Sequence, residues 1–228
     1  MALTELNLKK VVAEKAVNDY VKDGMTVGLG TGSTSEYAVK RVGELVKEGW
    51  KLKCVATSQR TADLAQKLGI ELCDINDVSH IDVTIDGADE VDPGKQLIKG
   101  LGGALLREKI VAAASLAEVI IVDSSKLVDK LGVKTPLPVE VVIYGHKKTA
   151  YALERQGCKA TLRTLNGSPF VTDAGNYIYD CKFESIESPF FLESRLDVIP
   201  GVVENGLFLN TADVILVSHP DGTVTKIE

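Results

Sequence analysis

The sequence predicts an α/β protein: a Rossmann-like parallel sheet with helices on both faces, into which a smaller α/β lid domain of the split βαβ type is inserted. Three observations lead there. Short apolar runs alternate with helix-period segments through residues 1–131. Four of the strand candidates end in a polar or glycine-rich cluster, at residues 31–34, 57–58, 86–89 and 123–126, and open α/β sheets bind ligands beyond the carboxyl ends of their strands. After Thr135-Pro136-Leu137-Pro138 the order changes to β-α-β-β-α-β.

The elements follow in order. Met1 to Tyr20 reads as an amphipathic helix bearing Lys9, Lys10 and Lys15, its helical span running from Leu6 to Lys22. Met25 to Leu29 is a short apolar strand that runs into Gly30-Thr31-Gly32-Ser33-Thr34, and Ser35 to Glu48 is helical. Leu52 to Ala56 is a strand, Thr61 to Leu68 a helix that Gly69 ends, and Glu71 to Asp74 a possible strand. Ile81, Val83 and Ile85 alternate with Asp82 and Thr84, the strand period, and stop at Asp86-Gly87-Ala88-Asp89-Glu90. Gly103 to Leu116 reads as a helix, and Val119 to Val122 is an unbroken apolar run suited to a strand buried on both faces.

Beyond the prolines, Val139 to Ile143 is strand-like, Lys147 to Gln156 helical and Lys159 to Leu165 a strand. Asn166-Gly167 is a turn signal. Phe170 to Phe183 is strand-rich with a break near residues 173–176, and Ser188 to Val198 is helical. Aromatic residues concentrate here, so this stretch has the makings of a core of its own. Ala212 to Val217 is one more apolar strand, read as returning to the main sheet. The expected domains are residues 1–131, a lid at 132–205, and a return to the main domain at 206–228.

Composition narrows the function. The chain has 228 residues, 45% hydrophobic and 25% charged, which is globular rather than disordered. A net charge of −6 lacks the basic footprint of a nucleic-acid binder. Cys54, Cys73, Cys158 and Cys181 form no C-x-x-C pair and stand at no ligand spacing from a histidine, so no structural zinc site is expected. No signal-peptide core and no run of membrane-spanning length is present. We expect a reduced, cytoplasmic protein with no membrane partner.

Four constellations could carry chemistry. Gly28-Leu29-Gly30-Thr31-Gly32-Ser33-Thr34 is a glycine-rich strand-to-helix turn. It matches neither G-x-G-x-x-G nor a Walker A loop. It suits an anion at a helix N-terminus, or is simply a tight turn with a capping hydroxyl. Asp86, Asp89 and Glu90 put three carboxylates in five residues. These are a solvated acidic turn, a magnesium site or acid–base groups. In Lys99-Gly100-Leu101-Gly102-Gly103-Ala104-Leu105-Leu106-Arg107-Glu108-Lys109, helical spacing surrounds Glu108 with Ala104, Leu105, Val111 and Ala112. A helix apolar all round reads as buried, so its charges form an ion-pair network or include a carboxylate tuned to act as a base. Lys126, in Asp123-Ser124-Ser125-Lys126, is either a solvated lysine or a partner for a substrate anion.

Taken together, Gly30–Thr34, Asp86–Glu90, Ile98–Lys109, Asp123–Lys126 and Pro136–Val141 resemble the A-type ribose-5-phosphate isomerases, in order and over nearly the whole chain. The resemblance implies interconversion of ribose 5-phosphate and ribulose 5-phosphate in the non-oxidative pentose phosphate pathway, without metal or organic cofactor. It also implies a homodimer or a dimer of dimers. Glu108 matches the family's proton-transferring glutamate; Asp86, Asp89 and Lys99 match its active-site carboxylates and lysine. Thr31, Gly32, Ser33, Thr34, Asp86, Gly87, Ala88, Asp89, Lys99, Gly100, Leu101, Gly102 and Lys126 match its substrate-binding segments, and Lys10 an N-terminal phosphate contact. Leu101 among the glycines and Leu106 before Arg107 depart from the family's pattern. Two other classes compete: a sugar-phosphate sensing module, which would want an output domain, and a CoA-transferase with a nucleophilic glutamate.

Overall fold

The computed structural model describes residues 4–228, and for Glu5 and Leu6 the backbone alone. The first three residues of the helix expected over Met1–Tyr20 lie outside the described residues. In chain order the elements are α1 (Glu5–Tyr20), β1 (Thr26–Leu29), α2 (Ser35–Lys47), β2 (Lys53–Ala56), α3 (Gln59–Lys67), β3 (Val83–Gly87), β4 (Glu90–Val91), β5 (Leu97–Ile98), α4 (Leu105–Ala113) and β6 (Glu118–Asp123). Then follow β7 (Leu137–Val141), α5 (His146–Glu154), β8 (Lys159–Leu162), β9 (Thr164–Leu165), β10 (Ser168–Pro169), β11 (Tyr177–Lys182), α6 (Pro189–Asp197), β12 (Val202–Asn205), β13 (Leu207–Phe208), β14 (Val214–Ser218) and β15 (Val224–Ile227). Single 3-10 turns stand at Ile75–Asp77 and Ser124–Lys126. No helix among the described residues is long and apolar enough to cross a membrane.

The chain divides into two compact units. The first comprises residues up to Ala88, Arg107–Lys126 and Asn210–Glu228. Its sheet has the order β15-β14-β6-β3-β1-β2. Strands β14, β6, β3, β1 and β2 run parallel, whereas β15 is antiparallel to β14. The wholly parallel sheet expected from the alternation is therefore mixed at one edge. Asp221-Gly222 turns the chain there, with Asp221 accepting from the Thr223 N–H, and a tight turn can only return the strand antiparallel.

Helices cover both faces of this sheet. Val12, Ala13, Ala16 and Val17 of α1, with Ala38, Val39, Val42 and Leu45 of α2 and Ala65 of α3, pack against Val27, Leu29, Val83, Ile85, Val119 and Ile121. On the other side Val111 of α4 joins Val55 and Ile81. The side chains alternate because successive strand residues point to opposite faces. Strand β6 is buried along its whole length, as its unbroken apolar run requires. Glu71–Asp74 is not a strand. Leu72 makes only an isolated bridge to Cys54, and Asp74 instead caps the following 3-10 turn by accepting from the Asn76 N–H.

The second unit comprises Asp89–Leu106 and Leu127–Leu209. Its four-stranded antiparallel sheet has the order β12-β7-β11-β8, with α5 and α6 in the two crossovers, so the chain follows the expected β-α-β-β-α-β path. Leu153, Leu192 and Leu196 of the helices bury against Leu137, Val139, Val141 and Cys181. Residues 89–106, expected with the main domain, group here because β4 and β5 pair with β13 in a three-stranded sheet. Strands of two residues carry no readable period, which is why the sequence shows no sign of them.

Candidate active site

In the first unit the turn after β1 and the end of β3 are built around one carboxylate. Asp86 is 1% exposed, and its Oδ1 accepts from the Thr31 N–H at 3.0 Å, the Ser35 hydroxyl at 3.0 Å and the Gly87 N–H at 2.7 Å. Gly30 makes this possible. A Cβ there would stand 2.1 Å from Asp86 Oδ1 and 2.6 Å from its Cα, so only glycine lets the backbone come so close.

Thr31 faces inward. Its hydroxyl lies 2.7, 2.8 and 3.0 Å from those of Thr57, Ser58 and Thr61, and Thr61 in turn donates to the Gly30 carbonyl at 3.0 Å. These bonds lock the end of β1 to the start of α3. Together with the N–H bond to Asp86, they engage both donors of Thr31, its hydroxyl and its N–H. The groups left to meet a ligand belong to Gly32, Ser33 and Thr34, where none of the three N–H groups has a protein acceptor among the described residues. Gly32 holds φ +130°, and α2 begins at Ser35. Unsatisfied amides beside the positive end of a helix dipole favour an anion.

Glu108 lies in the first turn of α4 and is 4% exposed. Leu105, Val111 and Ala112 on its face are also buried, as helical spacing led us to expect. The helix is not buried all round, however. Ile110 is 49% exposed, Ala113 is exposed, and Arg107 and Lys109 are half-buried. The reading of three buried charges therefore holds for Glu108 alone, since its two basic neighbours are only half-buried. Lys126 is half-buried in the 3-10 turn after β6. Asp123 shapes that turn by accepting from the Ser125 N–H at 2.9 Å.

In the second unit Lys99 follows β5 and is 2% exposed. Its N–H donates to the Gly206 carbonyl at 2.9 Å, and its ammonium lies 5.2 Å from the centre of the Phe208 ring. A buried ammonium over an aromatic face is stabilised by the ring quadrupole. Asp89 accepts from the Leu101 N–H at 3.0 Å, which bends the Gly100–Gly103 segment back toward it. The three carboxylates of the acidic run thus part company. Glu90, wholly buried, takes the N–H groups of Gly132, Lys134 and Thr135 at 2.6, 2.7 and 2.5 Å and is structural. No group of three or more His, Cys, Asp or Glu side chains among the described residues could hold a metal ion.

Sequence reasoning missed three contributors: Ser35, the hydroxyl cluster of Thr57, Ser58 and Thr61, and Arg163. The pair Thr57-Ser58 stood out as a polar strand end. Arg163 carried no local signal, because the Gly100 and Leu101 carbonyls to which it donates are about sixty residues away.

Comparison with known proteins adds the family. The model of "Ribose 5-phosphate isomerase A (phosphoriboisomerase A)" matches residues 53–222. Ribose-5-phosphate isomerase A of Gloeobacter violaceus is 52% identical over 216 residues, 94% of this chain and 94% of that protein. The solved ribose 5-phosphate isomerase from Plasmodium falciparum is 44% identical, covers 98% of both chains and superposes with a TM-score of 0.95. A D-ribose-5-phosphate isomerase solved in complex with phospho-erythronic acid is 40% identical, with 99% of this chain and 100% of that one covered and a TM-score of 0.95. Matched over nearly its whole length in both sequence and fold, this chain belongs to the ribose 5-phosphate isomerase A family.

Proposed function

We propose that the protein is an aldose–ketose isomerase interconverting D-ribose 5-phosphate and D-ribulose 5-phosphate through an enediolate. The observation that carries the reading is a complete chemical set in a chain of this family: a buried carboxylate on α4, a buried lysine, two further aspartates and an open-amide turn. The reaction moves a proton between neighbouring carbons, so one carboxylate can take it from C2 and return it at C1. Glu108 has that role. Lys99 stabilises the negative charge that develops on the sugar oxygens, which a fixed cation in a dry setting does well. Asp86 transfers the proton that opens the sugar ring, and Asp89 orients the substrate. Gly32, Ser33, Thr34 and Lys126 take the phosphate. Positioned acid–base groups typically contribute about 10²–10⁴-fold each.

The remaining assignments belong to the same proposal. Gly87, Ala88, Gly100, Leu101 and Gly102 are backbone-lined substrate contacts, Thr31 acts only by holding the turn to Asp86 and α3, and no cofactor takes part. A cytoplasmic location and a homodimeric state rest on the resemblance and on the chain's composition. The test is incubation with ribose 5-phosphate alone, followed by NMR. Ketose should form until the two sugars reach equilibrium. Binding without ketose would make the protein a sensing module, and turnover only with an acyl-CoA present would make it a transferase.

A further inference from the structure

We infer that Arg163 is a positioning residue for this reaction: it fixes the peptide units of the Gly100–Gly103 turn so that the Gly102 N–H is presented to the substrate. The inference rests on the function proposed above. Arg163 stands between β8 and β9, at the base of a hairpin turned by Asn166-Gly167. One terminal nitrogen of its guanidinium donates to two successive carbonyls, Gly100 at 3.0 Å and Leu101 at 3.1 Å. The rest of the fork is held by Asp180 of β11, which accepts from Nε at 3.0 Å and also from Nη2. Arg163 is therefore aimed by one partner at two others, a task that needs a planar fork.

A trans peptide points its carbonyl and its N–H in opposite directions, and the described residues contain no cis bond. Holding the Gly100 carbonyl thus directs the Leu101 N–H, which reaches Asp89 at 3.0 Å. Guanidinium and carboxylate grip the two ends of one peptide unit. Holding the Leu101 carbonyl directs the Gly102 N–H to the side away from Arg163. Of the amides in this turn, Leu101 is engaged by Asp89 and Gly103 by the Gly100 carbonyl at 3.0 Å. The Gly102 N–H has no protein acceptor among the described residues.

The same hairpin braces the turn a second time. The Phe170 ring lies where a Cβ on Gly103 would be, 2.5 Å from that position, and the Phe170 N–H donates to the Arg163 carbonyl at 2.9 Å. Gly103 at φ +82° has no room for a side chain. A donor aimed in advance at developing charge acts in the transition state rather than on the ground-state sugar. Loss of Arg163 should therefore appear in kcat more than in KM.

The test compares wild type with Arg163→Met, and with Arg163→Lys, which keeps a positive charge beside Asp180 should the first variant unfold. We expect kcat to fall about 10–10²-fold in Arg163→Met with KM little changed. The loss should be smaller in Arg163→Lys, and ethylguanidinium should partly restore Arg163→Met. Amide exchange should speed up at Leu101 and Gly103 while the β7–β11 core keeps its protection. Wild-type kcat in Arg163→Met, a change confined to KM, or exchange faster throughout the second unit would each overturn the inference. If wild type itself makes no ketose, the proposed function fails, and the exchange pattern alone decides whether Arg163 holds the turn.

Discussion

Adding one methyl group at Gly30 should separate the chemistry of Asp86 from the stability of the sheet. In Gly30→Ala the new Cβ would lie 2.6 Å from the Asp86 Cα, and ordinary contact begins at 3.4 Å. A rotamer change cannot relieve a clash with backbone, so the end of β3 must shift by most of an ångström. That shift breaks or lengthens the three bonds that hold Oδ1 of Asp86. Overpacking of this kind costs roughly 1–3 kcal/mol, and a displacement of about 1 Å at an acid–base group can cost about 10²-fold in rate. Gly28→Ala is the matched control. Its Cβ would meet Thr84 Oγ1 at 1.8 Å and Thr84 Cβ at 2.8 Å, two pairs earlier along the same two strands. Thr84 bonds Ser115 and no residue assigned to catalysis. Stability is read by urea unfolding and rate by direct observation of ketose, under conditions where each variant is folded. Both variants should lose similar stability, and Gly30→Ala alone should lose about 10²-fold in kcat/KM. Equal rate losses in the two, or full activity in Gly30→Ala, would refute the role given to Asp86.

Three further outcomes are expected. Glu90→Gln sets an amide against donors that need acceptors, so it should cost about 3 kcal/mol of stability while leaving kcat unchanged at temperatures where the variant is folded; thermal unfolding with parallel rate assays checks this. Glu140 of β7 is buried, and desolvation pushes its carboxyl above the ordinary value of 4.5, although Thr172 and Asn176 donate to it. A carboxyl raised in the folded state contributes stability below its unfolded pKa and loses it as pH rises through the folded one. Glu140→Gln should therefore match wild type near pH 4.5 and melt higher at neutral pH; a Tm difference that does not vary with pH would contradict this. Lys126→Ala should raise KM for the phosphorylated sugar with kcat little changed, and an effect confined to kcat would move the phosphate elsewhere.

What the sequence made legible, and what it hid, follow one physical rule. Features set by neighbours in the chain could be read: the 3.6-residue period of α1 and α2, the unbroken apolar run of β6, the turn at Asn166-Gly167 and the apolar face around Glu108. The return of residues 212–217 to the main sheet could be read too, because an apolar strand stranded beyond the second domain needs a partner. Features set by distant parts of the chain could not. Strands β4 and β5 exist because β13, more than a hundred residues later, pairs with them. Thr31 seemed available to a phosphate until Thr57, Ser58 and Thr61 were found to enclose its hydroxyl. Glu90 belonged to an acidic run by sequence and to the 132–135 loop by structure. Ile110 completed an all-apolar helix by composition, yet it is half exposed.

The claim beneath all of this is that the carboxylate of Glu108 carries a proton between adjacent carbons. Isomerisation in D2O, followed by NMR of wild type and Glu108→Gln, tests it most directly. Wild type should place solvent deuterium at C1 of the ketose, and Glu108→Gln should lose both turnover and deuterium incorporation by at least about 10²-fold with substrate affinity nearly intact. A Glu108→Gln protein that still forms deuterated ketose at close to the wild-type rate would contradict the account.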